Sequence, residues 1–222
     1  MVEEKRRIHD KDIREPLFDF LEETYGKIRI LEEKMMGRSR ADVVMVTETG
    51  LYGIEIKSDA DSYTRLSRQI KDYDRYYDFN IAVVGTTHAG SIKEHVPEWW
   101  GVITVEEVDG VLDFYYYRKP EKNPKVDMKQ KISILWRPEL AHIQELNGMY
   151  KYSDKRKKYV TERILDTVPE DILTKQICEE LFERDYTRIE ETLNAFRKEK
   201  IFSRSIWMNL FNFILRIADT CF

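Results

Sequence analysis

The chain is poor in the residues that build small stapled scaffolds and cofactor sites. Its two cysteines, Cys178 and Cys221, make no C-x-x-C or other metal-ligand spacing and argue against a disulfide framework. Four scattered histidines give no zinc pattern. No Gly-rich phosphate-binding loop is present, so no ATP-driven motor is encoded in these residues. Neither sign of charge dominates: 37 Lys and Arg stand against 41 Asp and Glu, a net −4 that excludes a uniformly basic nucleic-acid coat protein. The opening residues, MVEEKRRIHDKD, have no apolar run after their basic positions, so no secretory signal is expected and a cytoplasmic protein is the default. The one strongly apolar segment, 201–222, is interrupted by Arg204, Ser205, Asn209, Asn212 and Arg216. It is too polar and too short for a membrane span and is expected to pack in a core or against a second copy, with membrane-surface binding as the lesser alternative.

What is present is length enough for one ordinary domain and an appendage, 222 residues, and an uneven distribution of charge. Residues 116–163 hold thirteen Lys or Arg against six Asp or Glu, so the remainder of the chain is acidic. Interleaved with Tyr150, Tyr152 and Tyr159, this segment has the composition to follow a phosphate backbone and stack on bases, although a solvated loop and helix face would read the same way.

The chemistry concentrates between Arg40 and Tyr77. DVVMV and LYGIEIK are rich in the types that suit strands, and Thr47-Glu48-Thr49-Gly50 between them is a short polar turn. A turn centred between Glu48 and Thr49 sets Asp42 opposite Glu55, where Cβ atoms lie roughly 4.5–5.5 Å apart. Alternation puts Glu55 and Lys57 on one face and Tyr52, Ile54 and Ile56 on the other. Two facing carboxylates repel, and in a partly dry site one takes up a proton unless a cation sits between them. A hard divalent ion prefers such oxygens and keeps several waters, and a lysine beside it can position a water or counter charge on a phosphate. Glu and Lys alternating along an exposed strand are common, so Glu-Ile-Lys alone says little. The apolar character of both strands, the alignment of the acids and the polar helix that follows favour the chemical reading.

Around this stretch the pattern predicts a helix over 10–25, capped by Asp10 or Asp12, in which Pro16 fits only within the first turn. GKIRILEEKM predicts a first strand, closed by a Gly37-Arg38-Ser39 turn. Ser58-Asp59 is the expected cap of the next helix, with Leu66, Ile70, Tyr73 and Tyr77 as its buried stripe. Gln69 faces the acids, while Arg65 and Arg68 can reach a phosphate or, for Arg68, pair with Asp72. FNIAVVG predicts a buried parallel strand, Trp99 and Trp100 core anchors, and Asp109-Gly110 a type I′ hairpin turn. Beyond a polar segment with Pro120 and Pro124 the chain reads as helical.

Asp42, Glu55-Ile56-Lys57 on the next strand and a helix carrying Gln69-Ile70-Lys71-Asp72-Tyr73 together resemble the PD-(D/E)XK, restriction-endonuclease-like nuclease superfamily. The Gln-x-x-x-Tyr pattern resembles its exonuclease branch. SRADVV, GIEIKSD, RQIKDYDRYYD and VPEWWG are similar to a small bacterial and phage subfamily of nucleases of this fold, over roughly residues 10–165. Ala41 stands where the superfamily name has Pro. The resemblance implies that Asp42 and Glu55 bind Mg²⁺ (Mn²⁺ as a substitute) with the Ile56 carbonyl, that Lys57 acts on the attacking water, and that Gln69 supports the site. It also makes Glu33 the candidate third acid.

The expected architecture is an α/β, restriction-endonuclease-like core (αβββαβ, a mixed sheet flanked by helices) over 8–120, with a linker and helical C-terminal region over 121–222. The expected activity is Mg²⁺-dependent hydrolysis of phosphodiester bonds in DNA, RNA not being excluded, in repair or conflict with mobile elements. Arg40, Arg65 and Arg68 are the candidate contacts to nucleic acid, and a homodimer would suit cutting of both strands. The rival readings are a catalytically silent module of the same fold that binds nucleic acid or protein, and a structural or membrane-associated protein organised by its C-terminal apolar segment.

Overall fold

In a computed structural model of the chain, residues 8–59 and 61–184 are described. The chain divides into two units, Met1–Phe182 and Glu183–Phe222. The apolar segment 201–222, Cys221 and the first seven residues lie outside the described residues, as do the expectations placed on them.

Six strands form one mixed sheet in the order of the chain: β1 (Arg29–Met36), β2 (Ser39–Val46), β3 (Leu51–Lys57), β4 (Phe79–Gly85), β5 (Gly101–Val108) and β6 (Val111–Arg118). Short turns join the antiparallel neighbours. Gly37, with φ 59°, opens the turn from β1 to β2, and Asp109 and Gly110, with φ 52° and 81°, close the β5–β6 hairpin as a type I′ turn requires. In the β2–β3 hairpin Val43 pairs with Ile54, Val44 with Gly53 and Val46 with Leu51, so Asp42 stands opposite Glu55 one step past the last ladder pair. The expected register of the two acids is the observed one.

β3, β4 and β5 run parallel, and parallel neighbours need a crossover. A 3-10 turn at Tyr63–Arg65 and helix α2 (Leu66–Tyr76) supply the first; the short helices α3 (Thr86–Ala89) and α4 (Ile92–His95) lie on the second. Helix α1 (Asp10–Tyr25) buries Ile13, Leu17 and Leu21 against one face of the sheet, over Val43, Ile54, Ile81 and Ile103. On the other face α2 lays Leu66, Tyr73 and Tyr76 over Val44, Leu51, Ala82 and Val84. The same core takes side chains from α5 (Met128–Lys131), α6 (Arg137–Leu146), α7 (Lys157–Thr167) and α8 (Glu170–Glu183). β3 is covered on both faces, and all seven of its residues are buried. A Glu and a Lys on such a strand are not ordinary edge charge.

Two polar links cross this second layer. Lys131, wholly buried, reaches Asp78 at 2.7 Å, and Asp78 in turn accepts the Leu51 backbone N–H at 2.8 Å. Asp74 accepts the indole N–H groups of Trp99 and Trp100 at 3.2 and 2.8 Å. Trp100 packs on Tyr73 with ring centroids 5.4 Å apart.

The structure departs from the sequence pattern at four places. Pro16 lies in the seventh position of α1, not its first turn. Its ring and missing N–H cost about 3 kcal/mol in a helix interior, and full burial of Ile13, Leu17 and Leu21 on the sheet offsets that cost. Ser58 and Asp59 do not cap α2, which starts only at Leu66. Asp61 instead folds back to accept Ser58 N and Oγ at 2.9 and 2.6 Å, and Asp59 accepts Thr87 N and Oγ1 at 3.1 and 2.9 Å. Asp72 takes the Ser39 hydroxyl at 2.5 Å rather than Arg68. Glu33 sits at φ 52°, which breaks the alternation of β1 where it passes Asp42.

Candidate active site

The end of β3 carries the charged cluster. Glu55 is 1% exposed and Lys57 5% exposed, two residues apart on one face of the strand. Lys57 Nζ lies 2.5 Å from Glu55 Oε1, and Gln69 Nε2 donates to the same oxygen at 2.5 Å. Gln69 Oε1 is 3.4 Å from Lys57 Nζ, closing a triangle of three side chains. One turn further along α2, the Tyr73 hydroxyl lies 2.8 Å from Glu55 Oε2 and 3.0 Å from the Ile54 carbonyl. Glu55 is thus a buried carboxylate with a donor on each oxygen, one of them a cation, which is the arrangement that a buried charge needs.

Asp42 completes the cluster from β2. Its Oδ2 accepts the Ile56 backbone N–H at 2.9 Å, and its own N–H points to the Tyr73 hydroxyl at 3.3 Å. Burial pushes its carboxyl up to about 7, helped by the neighbouring charges of Glu55 and Asp10, while the Ile56 N–H and Lys57 pull the other way. Lys57 is fastened to Glu55, and burial is the largest cause of the raised Asp42 carboxyl.

The structure brings Asp42, Glu55, Lys57 and Gln69 together and leaves four other candidates outside. Glu33 turns to arginines: Arg40 Nη1 lies 2.8 Å from its Oε2, and Arg14 Nη2 3.9 Å from its Oε1. Arg40 is spent in that exposed pair. Arg65 and Arg68 are exposed on the 3-10 turn and the start of α2, with Arg65 one helical turn before Gln69.

Two further residues join the cluster. Tyr73, the Tyr of the Gln-x-x-x-Tyr pattern and part of the expected buried stripe, keeps its ring in the core while its hydroxyl holds Glu55. The spacing of four from Gln69 is the signal, since i and i+4 share a helix face. Asp10 was a candidate cap; its charge reaches Asp42, Arg14 Nη2 binds its Oδ2 at 2.9 Å, and its Oδ1 is buried without a hydrogen-bond partner. No local signal marks it, because only the docking of α1 on the sheet brings it near β2. Asp10 also borders an open depression lined by His9, Lys11, Ser58 and Asp61.

The family model of Bacteriophage P4 protein cII matches residues 3–208. The chain belongs to that family. No curated protein matches it. Among solved structures it is similar to SfsA of Pyrococcus furiosus in complex with Ca²⁺, at 17% identity and a TM-score of 0.33, over 55% of this chain and 68% of that one. A likeness of that size carries no argument about fold or chemistry. The stretch matched to the cII family contains the whole cluster, from Asp10 through Asp42, Glu55, Lys57 and Gln69 to Tyr73.

Among the described residues no group of three or more His, Cys, Asp or Glu is placed to hold a metal ion. The donor set nevertheless fits a hard cation that keeps its waters. Asp42 and Glu55 offer carboxylate oxygens across one hairpin, and the Ile56 carbonyl follows Glu55 directly on β3.

Proposed function

We propose that this chain is a metal-dependent nuclease that hydrolyses phosphodiester bonds in DNA, with a PD-(D/E)XK core. One observation carries the reading: Lys57 and Gln69 are both fastened to buried Glu55, with Asp42 on the strand directly opposite. The order α1-β1-β2-β3-α2-β4 supports it, as does the resemblance of the Asp42, Glu55-Ile56-Lys57 and Gln69-to-Tyr73 segments to that superfamily.

Asp42 and Glu55, with the Ile56 carbonyl, would hold Mg²⁺ or Mn²⁺. Bound there, such an ion would supply Lewis acidity toward a phosphoryl oxygen and would acidify water. The side chains do the rest. Gln69 and Glu55 fix the Lys57 ammonium so that it presents a donor to the attacking water or to a phosphate oxygen as negative charge develops. Tyr73 locks the Glu55 rotamer, and the Ile56 N–H orients Asp42. Arg65 and Arg68, exposed and outside the buried cluster, would be the side chains to meet flanking phosphates.

The test is cleavage of labelled duplex, single-stranded and branched DNA with Mg²⁺ or Mn²⁺, comparing wild type with Asp42→Ala and Lys57→Ala, each shown folded by circular dichroism. Cutting by wild type alone is expected. Equal cutting by all three proteins would sink the assignment. A second reading, a silent binding module, is favoured by the tight internal closure of Lys57 on Glu55; metal binding without cleavage of any substrate would select it.

A further inference from the structure

The loop from α6 to α7 and the first turn of α7 carry an aromatic row that the proposed hydrolytic site does not use. Tyr150 and Tyr152 meet edge to face with ring centroids 5.1 Å apart, and Tyr152 meets Tyr159 in the same way at 5.2 Å. The Arg163 guanidinium lies over the Tyr159 ring, 5.7 Å from its centroid. Such a row is ordinarily core packing, and Tyr152 is half-buried against the core as that reading requires. Tyr150 is not: it is 73% exposed, and Tyr159 is 40% exposed. Large apolar ring faces left in water cost free energy until something covers them.

The charge around the row says what would cover it. From Tyr150 to Arg163 the chain carries six Lys or Arg against two Asp or Glu. α7 begins among them, with Arg156 before it, Lys157 and Lys158 in its opening turn, and no acidic residue there. The ion pairs in this region, Lys151–Glu145, Lys155–Asp154 and Arg163–Asp166, are solvent-exposed. Exposed pairs contribute little, so a phosphate can take the place of a carboxylate without much loss. Outside 116–163 the chain is acidic, which disfavours a polyanion there.

We propose that the Tyr150–Arg163 surface binds a single-stranded nucleic acid, with bases stacked on Tyr150 and Tyr159 and phosphates on Arg156, Lys158 and their neighbours. A duplex keeps its bases stacked inside and would use only the cations; a single strand uses the rings as well. The surface deepens the nuclease reading and rests on it for its purpose, by naming a single strand as the form of substrate held. Its binding requires neither Asp42 nor a metal.

The experiment is fluorescence anisotropy with the full chain in EDTA, using a labelled mixed-sequence single strand and the duplex of the same sequence. The single strand is expected to bind more tightly than the duplex. Tyr150→Ala should weaken single-strand binding about tenfold, in line with the loss of one base-stacking contact, while Tyr150→Phe, which keeps the ring, should bind as wild type does. Arg156→Gln with Lys158→Gln should flatten the plot of log affinity against log salt by about 1.4, at about 0.7 per phosphate contact. Equal binding by Tyr150→Ala overturns the proposal, as does failure of wild type to bind any strand at low salt. Competition by polyglutamate equal to that by unlabelled oligonucleotide also overturns it, since it would show a general polyanion surface. Intact binding with no cleavage in Mg²⁺ would instead overturn the nuclease reading and leave this surface standing.

Discussion

The Tyr73 hydroxyl lies 2.8 Å from Glu55 Oε2, so a core aromatic of α2 holds a carboxylate that β3 projects from the face on which α2 packs. Removing that oxygen leaves a buried charge with one donor fewer. Tyr73→Phe should lower stability by about 1–3 kcal/mol, read as a lower urea midpoint with an unchanged slope. An unshifted midpoint would show that the hydroxyl contributes nothing.

Asp42 makes stability depend on pH with a sign opposite to that of most carboxylates. Its folded carboxyl is raised from 3.8 to about 7, so between these values the folded chain binds more protons than the unfolded one. Linkage then makes stability fall as pH rises: the contribution is fully present below about pH 4 and lost as pH passes about 7. Thermal melts in EDTA should show a lower midpoint at pH 8 than at pH 5, and Asp42→Asn should remove much of the difference. Under the nuclease reading, Mg²⁺ should raise the wild-type midpoint at pH 8 and leave that of Asp42→Asn unmoved.

Lys131 and Asp78 form a second buried pair, 2.7 Å apart, at the opposite end of β3 from the acids. Lys131→Met leaves Asp78 buried and uncompensated. Breaking one partner of such a pair costs about 3–5 kcal/mol, and chemical denaturation should register a loss of that size. Adding Asp78→Asn to Lys131→Met should recover part of it, because Asn removes the orphaned charge and keeps an acceptor for the Leu51 N–H.

Gly53 is the floor under both tyrosines. A Cβ there would stand 2.2 Å from Tyr77 Cδ2 and 2.6 Å from Tyr73 Cδ1. Both rings are buried, so neither can swing aside. Gly53→Ala should destabilise the fold by at least about 1–3 kcal/mol, the usual cost of overpacking, and should alter the near-ultraviolet circular dichroism as the rings shift. Gly90→Ala, where an added Cβ meets nothing within 4 Å, is the neutral control.

Much of this arrangement was legible in the sequence because local rules and burial agree there. The β2–β3 register follows from a short turn and strict alternation, and it aligns Asp42 with Glu55 without help from the rest of the chain. Asp109-Gly110 forms its turn for the same local reason. Glu33 was not legible: a positive φ at one residue turns its side chain to Arg40 and Arg14, and no residue type announces that twist. The start of α2 was misjudged because Asp61 competes for Ser58 and holds the chain out of the helix until a 3-10 turn brings it in. Asp10 entered the site through the docking of α1, a long-range event. Burial of α1 on the sheet likewise overrode the local signal of Pro16.

The packing of Trp100 on Tyr73 gives the chain a native optical reporter. An indole hydrogen-bonded to Asp74 and in contact with the tyrosine that grips Glu55 will change its emission whenever that grip loosens. Its signal can be isolated as the difference from Trp100→Phe. Under the nuclease reading, metal binding at Glu55 and Asp42 should then be visible in that difference signal without a label, on the timescale of mixing.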